Sequence, residues 1–598
     1  MKKIKFLCVA VLLIVAMSML VGCNRGDDTP APAPQPTPPA TTPTTPTPPQ
    51  TVPEAAPAVI EDGLLVMSHV RVPAMAGYTP VMPAGEDVTI TIGVQSVITA
   101  DDHDTNWLTL HMQELTGVNL EFDVFPAAAD EARTRFTLMV TAGSDLPDVM
   151  LVPFNDEQVW ELTQAGVFIP TTEWWNDPTI APNVWDIDPA DREHIFRSLS
   201  MYSGNIYSLP SWLAAEWDVG IGRAWMNHEW LEAVGMDMPQ TTDELRAVLE
   251  AFVNNDPTGT GRRTIGATGS PGGWGTSVFH FLLNAFTYAH PATQYLHVQN
   301  GTVFSSLHQP EFWDGMEFIN GLVRDGLLEV EAFTQTTAEL TAIAQQEDAL
   351  AGMITAASYA GIFGGAHTPF KQRMTLMPPL TGPQGVNYTV ASPHLPTHQW
   401  LITRSAEQPI VAFQLGEMFL SEYWALTFQH GPHGENWHSD PAVFGNWVGE
   451  FADMPVTYVV DPALNAWGRP GNLIWGTGPR YYSWPLIRGR GMVLREDFIE
   501  RGGRVSNWSL HYQMYPSRYP EERLSRRLNS ESEIQELAMI QPILISHIDS
   551  QLAEFAVGSR PLSEYAAFLQ ELEALGLPRF IQLAQNGHNR INGLPIPY

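Results

Sequence analysis

Apolar positions along this chain switch between two periods. From Val88 to Val94 the run VTITIGV alternates, the period of a half-buried strand. Trp107 to Leu115 follows helical spacing and stops at Gly117, and Val118 to Val124 alternates again. Ala128 to Ala142 reads as a second helix. The following AGSDLPDVMLV, Ala142 to Val152, reads as a loop feeding a buried strand. Alternation of strands and helices predicts a mostly parallel sheet covered by helices.

The strongest local signal lies between Arg223 and Arg263. Asn227 caps a short helix with Trp230, Leu231 and Val234 on one face, and Gly235 ends it. Pro239 marks a turn. Thr241 and Glu244 form a T-x-x-E capping box, after which Leu245, Val248, Leu249 and Phe252 share one helical face. A polar loop follows, Asp256-Pro-Thr-Gly-Thr-Gly261. Near the C-terminus Tyr565, Phe568, Leu569, Leu572 and Leu575 share a face, Gly576-Leu-Pro intervenes, and a final helix runs to about Ile591.

Length and charge narrow the picture. A chain of 598 residues exceeds one ordinary domain, so at least two lobes are expected. Hydrophobic content of 44% and a mean hydropathy of -0.10 describe a soluble, cored protein. A formal charge of -34 argues against nucleic acid or an anionic membrane surface as partner, and disfavours a polyanionic ligand.

The N-terminus has its own logic. Lys2, Lys3 and Lys5 precede an apolar run from Phe6 to Leu20, a signal-peptide pattern too short for a spanning helix. It closes on Leu20-Val21-Gly22-Cys23, which resembles the bacterial lipobox; a plain secretory signal with an incidental cysteine is the alternative. Removing residues 1–22 takes three lysines and no acid, which lowers the charge from -34 to -37. It also removes Cys8, so Cys23 stays as one thiol with no internal disulfide partner. Residues 23–60 contain TPAPAPQPTPPATTPTTPTPPQTVP, a Pro/Thr-rich spacer favouring polyproline II.

The order of residues from Trp230 to Pro257 resembles a signature of the family 1 extracellular solute-binding lipoproteins, which serve ABC importers for sugars and oligosaccharides. Trp230-Leu231, Val234-Gly235, Pro239, Thr241, Asp243-Glu244-Leu245, Ala251-Phe252 and Asp256-Pro257 carry the likeness. Ser144-Asp-Leu-Pro-Asp-Val149, Gly204-Asn-Ile-Tyr-Ser-Leu-Pro210 and Phe428–Trp437 extend it, so it covers most of residues 87–591. The resemblance implies an α/β, two-lobed periplasmic-binding-protein-like fold of type II, with mixed sheets flanked by helices and a ligand cleft between the lobes. It places lobe 1 at 87–205 plus about 398–435, and lobe 2 at 206–397 plus about 436–598.

Candidate chemistry centres on tryptophan. The chain has 19, many beside glycine, proline or polar residues. Sugar C–H groups stack on an aromatic face while hydroxyls need polar partners at the rim. Core packing is the competing use and claims at least half of them. The expected ligand residues are Asp145, Trp212, Glu216, Trp217, Trp274, Tyr359, Trp400 and Trp437, with Asp145 expected at a strand's carboxyl end. Asp256 opens a calcium-like loop with Gly261 at position 6, but positions 3, 5 and 9 are Thr258, Thr260 and Thr264, and Arg262 and Arg263 adjoin. The loop shape is kept and the ligand set is degraded, so no cofactor is expected. His430, His433, Glu435 and His438 lie close together without a zinc spacing, which favours a ligand-lining or solvated loop.

No H-E-x-x-H, G-x-S-x-G, Walker A or G-x-G-x-x-G motif occurs. The expectation is therefore a non-enzymatic, monomeric protein that binds an oligosaccharide for ABC importer membrane subunits. Lipid on Cys23 anchors it at the extracellular face of the cell membrane. Two rivals stay open: an exported hydrolase or lyase using two of the 65 acids, and a peptide-binding receptor of the same general fold.

Overall fold

The computed structural model describes residues 60–61, 64–65 and 88–596, apart from 214–218, 347–349, 358–361, 363–372, 392–394, 450–454, 462–463, 467–470, 494–506 and positions 98, 444, 446, 465 and 525. The expected signal peptide, Cys23 and nearly all of the Pro/Thr-rich spacer lie outside the described residues.

The alternating run forms β1 (Val88–Gln95), whose Val88, Ile90, Ile92 and Val94 are buried. It pairs in parallel with β2 (Val118–Phe125) along its whole length. Between them α1 (Trp107–Thr116) starts where the Asn106 side chain accepts from the Leu108 N–H, and ends at Gly117 with φ 69°. A left-handed residue there lets the last turn close, which favours glycine. Then α2 (Ala129–Ala142) returns the chain to the amino end of β3 (Val149–Met150), which is parallel to β1.

Later segments complete two sheets. We number the strands β4 (Ser208–Leu213), β5 (Ala224–Asn227), β6 (Ile265–Thr268), β7 (Ala351–Thr355), β8 (Met374–Leu376), β9 (Thr397–Ile402) and, beyond 430, β10 (Arg480–Tyr482). A six-stranded sheet, order β10-β4-β9-β3-β1-β2, forms lobe 1. All its strands run one way except β9, which is antiparallel to β3 and β4. A four-stranded sheet, order β8-β5-β7-β6, forms lobe 2, with β7 parallel to β6 and β5 antiparallel to both its neighbours. Each sheet sits in its own apolar core. A smaller sheet of four short strands between Trp437 and Val493 packs on Ala425 and Leu426.

The signature segment folds as its pattern predicts. Asn227 accepts from the Trp230 N–H at 3.2 Å, helix α3 (His228–Val234) ends at Gly235 with φ 69°, and the Thr241–Glu244 box opens α4 (Thr242–Asn254). Leu245, Val248, Leu249 and Phe252 are all buried. Helices α5 (Asn507–Met514), α6 (Glu531–Val557), α7 (Tyr565–Ala574) and α8 (Leu577–Ile591) end the chain, and the last three pack into the core of lobe 2.

The division into lobes needs one correction. The boundary expected at 205/206 falls after Leu213, because β4 lies inside the lobe 1 sheet with Leu209 and Trp212 in its core. The range 436–598 is likewise shared: β10 pairs with β4 in lobe 1, whereas the terminal helices belong to lobe 2.

One carboxyl in lobe 1 is fully enclosed. Glu417 accepts from the Asn183 side-chain amide at 2.6 Å and from the Val184 N–H at 3.0 Å, and no cation adjoins it among the described groups that shift it. Burial pushes its pKa up to about 8, only partly offset by those hydrogen bonds. The folded protein therefore holds this proton more tightly than the unfolded chain does. The linked stability is fully present below the ordinary carboxyl range and is lost as pH rises towards 8. Glu417→Gln is expected to raise the melting temperature by a few degrees at pH 9 and to change it little at pH 5, as read by thermal unfolding at the two pH values.

Candidate functional site

Strand direction decides where a ligand can sit. In lobe 1 every strand but β9 points its carboxyl end towards the edge where β4 leaves for lobe 2. In lobe 2 the carboxyl ends of β6 and β7 lie beside the start of β5, where the chain arrives. Open α/β sheets bind ligands outside the carboxyl ends of their strands. Both ligand-side edges therefore adjoin the crossing connections.

The crossings are tightly packed. Gly220 bridges Ala391 in antiparallel fashion, and the Ile221 N–H donates to the Val390 carbonyl at 3.1 Å. A Cβ on Gly222 would lie 2.5 Å from Val390 Cγ2, so only glycine fits there without displacement. Helix α5, on a third passage of the chain, places His511 Nε2 3.2 Å from the Gly220 carbonyl. Arg223, fully buried, donates to the Ala357 carbonyl and lies 3.4 Å from the same imidazole nitrogen. Burial, then the Arg223 charge, holds His511 well below the usual histidine range, so the ring is neutral.

A loop of lobe 2 rests on this crossing. After β6 the chain turns through Gly269 to Thr276, tied by Thr276 Oγ1, which donates to the Ser270 carbonyl and accepts from the Gly273 N–H. The Ala357 N–H donates to the Trp274 carbonyl at 3.1 Å. Gly275 has φ 64°, and a Cβ there would stand 2.2 Å from the Ile221 carbonyl oxygen. This backbone holds Trp274 at the carboxyl edge with 51% of its surface exposed. In lobe 1, Arg480 at the start of β10 donates to Ser211 Oγ at 3.2 Å and to Gln429 Oε1 at 2.7 Å, forming a half-buried polar cluster two residues before the carboxyl end of β4. Sequence reasoning missed this cluster and the Arg223–His511 pair, because neither forms a motif.

The other expected residues divide. Trp212, 8% exposed, packs between Tyr481 and His194 at ring separations of 5.9 and 5.0 Å. Trp400 is a core residue: it is 1% exposed, donates to the Ala412 carbonyl at 2.7 Å and stacks 6.5 Å from Trp475. Trp437 is fully buried and donates to the Gly431 carbonyl at 3.0 Å. Asp145 is exposed but precedes β3, so it stands at the amino end of that strand, away from the ligand edge. Glu216, Trp217 and Tyr359 lie outside the described residues.

The Asp256 loop satisfies itself. One carboxylate oxygen accepts from Thr258 Oγ1 at 2.5 Å and the other from the Gly261 N–H at 2.6 Å, and these bonds hold the carboxyl below its usual range. Thr264 Oγ1 donates to the Phe252 carbonyl, and Arg263 pairs with Glu329 at 2.6 Å. One carboxylate with three threonine hydroxyls does not fit the oxygen cage a calcium ion requires. Among the described residues, no group of three or more His, Cys, Asp or Glu could hold a metal ion, the His430–His438 loop included.

A Ser–His–Asp contact also occurs. Ser208 Oγ lies 2.7 Å from His398 Nδ1, and His398 Nε2 lies 3.0 Å from Asp156 Oδ1. Ser208 is 1% and His398 3% exposed, and Arg526 donates to the other Asp156 oxygen. A sealed hydroxyl with no access for substrate is a structural contact, not a nucleophile.

Comparison with known proteins agrees with this geometry. No family model matches the chain. It is 24% identical over 520 residues to the fructooligosaccharide ABC transporter substrate-binding protein FusA of Streptococcus pneumoniae, covering 83% of this chain and 89% of that protein. The structure of FusA in complex with kestose aligns with a TM-score of 0.68 at 21% identity, over 84% of this chain and 99% of FusA. An HMO binding, ABC-transporter associated solute-binding protein from Bifidobacterium longum infantis aligns at 0.66 and 18% identity, over 85% and 100%. The chain has the type II solute-binding fold. FusA has also been solved as an EF-hand mutant in complex with fructo-nystose.

Two outcomes follow. Trp274→Ala is expected to leave the melting temperature unchanged because the ring is half exposed, whereas Trp400→Ala should destabilise the fold by about 3–5 kcal/mol, both read by thermal unfolding. Melting curves recorded with millimolar calcium and with EDTA are expected to superimpose.

Proposed function

We propose that this chain is the extracellular, lipid-anchored binding component of a bacterial ABC importer, and that it captures an oligosaccharide between its lobes and hands it on unaltered. The observation that carries the reading is Trp274, a half-exposed indole fixed on a loop that rests on the interlobe crossing. It sits in a fold shared with proteins named for fructooligosaccharide and HMO binding. Stacking of a sugar ring on Trp274, with hydroxyls met by Ser211, Gln429 and Arg480 of lobe 1, gives the ligand contacts on both sides. Glu216, Trp217 and Tyr359, next to the crossing in sequence, complete the proposed set.

Closure needs such two-sided contact. A ligand favours the closed arrangement only by as much as it binds that arrangement better than the open one. The closed form would then dock on the importer's membrane subunits as a monomer. Cys23, lipidated after cleavage, would hold the protein to the membrane, and the Pro/Thr-rich segment would act as a spacer. Among the described residues no helix is long and apolar enough to cross a membrane.

The relatives are substrate-binding proteins of ABC transporters, which favours binding over hydrolysis. A thermal-shift panel of fructooligosaccharides, other glycans and peptides tests the reading. The expected result is a rise with at least one oligosaccharide, abolished or weakened about ten-fold or more in affinity by Trp274→Ala, and no change in the sugar after incubation. A shift with peptides alone, or release of shorter sugars, would overturn it.

A further inference from the structure

The segment between α5 and α6 carries two adjacent arginines with different hydrogen-bond partners. Its backbone belongs to lobe 2: Leu524 lies in that core, the Leu528 N–H donates to the Gly587 carbonyl at 3.1 Å, and the Asn529 side chain donates to the Leu583 carbonyl at 2.8 Å. Arg527 makes its contacts with lobe 2, its guanidinium 5.7 Å over the Phe580 ring and 3.3 Å from Gln294 Oε1, while Glu157 and Asp156 of lobe 1 act on its charge.

Arg526 leaves that surface and enters lobe 1. Its guanidinium donates to Asp156, to the Ser198 carbonyl, to the Ser200 carbonyl at 2.8 Å and towards the Met201 sulfur at 3.3 Å. Asp156 begins a lobe 1 helix, Asp156–Gln164, and its second oxygen is held by His398 of β9. The side chain is 8% exposed. A planar fork filled by a carboxylate and two carbonyls is a geometry that lysine could not reproduce. Two further contacts lie nearby in sequence: Arg197 donates to the Ile591 carbonyl at 3.2 Å, and Arg590 lies 5.9 Å over the Tyr202 ring.

We infer that Arg526 is a latch between the lobes: anchored through its backbone to lobe 2 and seated in a lobe 1 pocket, it holds the arrangement in which the ring of Trp274 is open to solvent. Motion about the Gly220–Ala391 crossing must withdraw or reseat this guanidinium, because its backbone and its acceptors belong to different halves. The latch therefore resists movement of the lobes away from the arrangement described here. Arg526 is thus a positioning residue that sets ligand affinity from outside the site; that part rests on the proposed oligosaccharide function.

The test separates the two claims. Spin labels on Thr137→Cys in lobe 1 and Glu250→Cys in lobe 2, both at exposed positions, report the interlobe distance in the purified full chain without any sugar. Arg526→Met is expected to shift or broaden the distance distribution. The double variant Asp156→Asn with Arg526→Met, which removes both members of the ion pair, is expected to do the same while melting cooperatively. Each should also change affinity for the oligosaccharide found by the glycan panel at least five-fold. An unchanged distribution in the double variant would make Arg526 an ordinary packing residue of one rigid body and overturn the latch, as would an unchanged affinity. Failure of every glycan to bind would sink the oligosaccharide reading while leaving the distance result to stand.

Discussion

Two backbone segments lie against each other where the chain passes between its sheets, and their contact leaves little room for side chains. Gly222 sits against Val390, and a Cβ on Gly220 would meet His511 Nε2 at 2.7 Å and the Tyr519 hydroxyl at 2.8 Å. Close packing of this kind has few alternatives, since interiors are dense and respond to even one added methylene. The crossing therefore joins the lobes through hydrogen-bonded backbone rather than through a loose tether. Gly275 extends the constraint to the loop of Trp274, which cannot shift without disturbing Ile221.

Tryptophan in this protein divides by backbone context. Trp400 and Trp437 bring large rings into the interior and satisfy their indole N–H groups on carbonyls, which is how a buried indole avoids an unpaired donor. Trp400 does so with φ 50°, at an irregularity in the pairing of β9 with β4. Trp274 has no such partner in a core and projects from a turn of glycines. The same residue type thus serves the fold in one place and faces solvent in another.

Features set within a few residues were legible from the sequence. The Asn227 cap, the Thr241–Glu244 box, the stop at Gly117 and the buried face from Leu245 to Phe252 all depend on neighbours along one helix. The site was less legible. Trp400 is expected at the ligand, yet it lies in a strand with a bulge whose neighbouring His398 and Gln399 are buried with it. Asp145 was placed at the wrong end of its strand, because the helix before it returns the chain to the amino edge. Arg526 and Asp156 are 370 residues apart, and no local pattern announces such a pair.

The interleaving of the lobes has a consequence for how the molecule is made. The lobe 1 sheet needs β9 and β10, so it cannot close until residue 482 has been delivered, and the lobe 2 core waits for helices that end at 591. Contacts this distant along the chain form slowly and expose apolar edges while they wait. Neither half can be cut out as a continuous fragment. A polypeptide threaded outward from its amino end would remain without a finished core until almost all of it had emerged, which suits translocation as an unfolded strand and places the burden of protection on the far side.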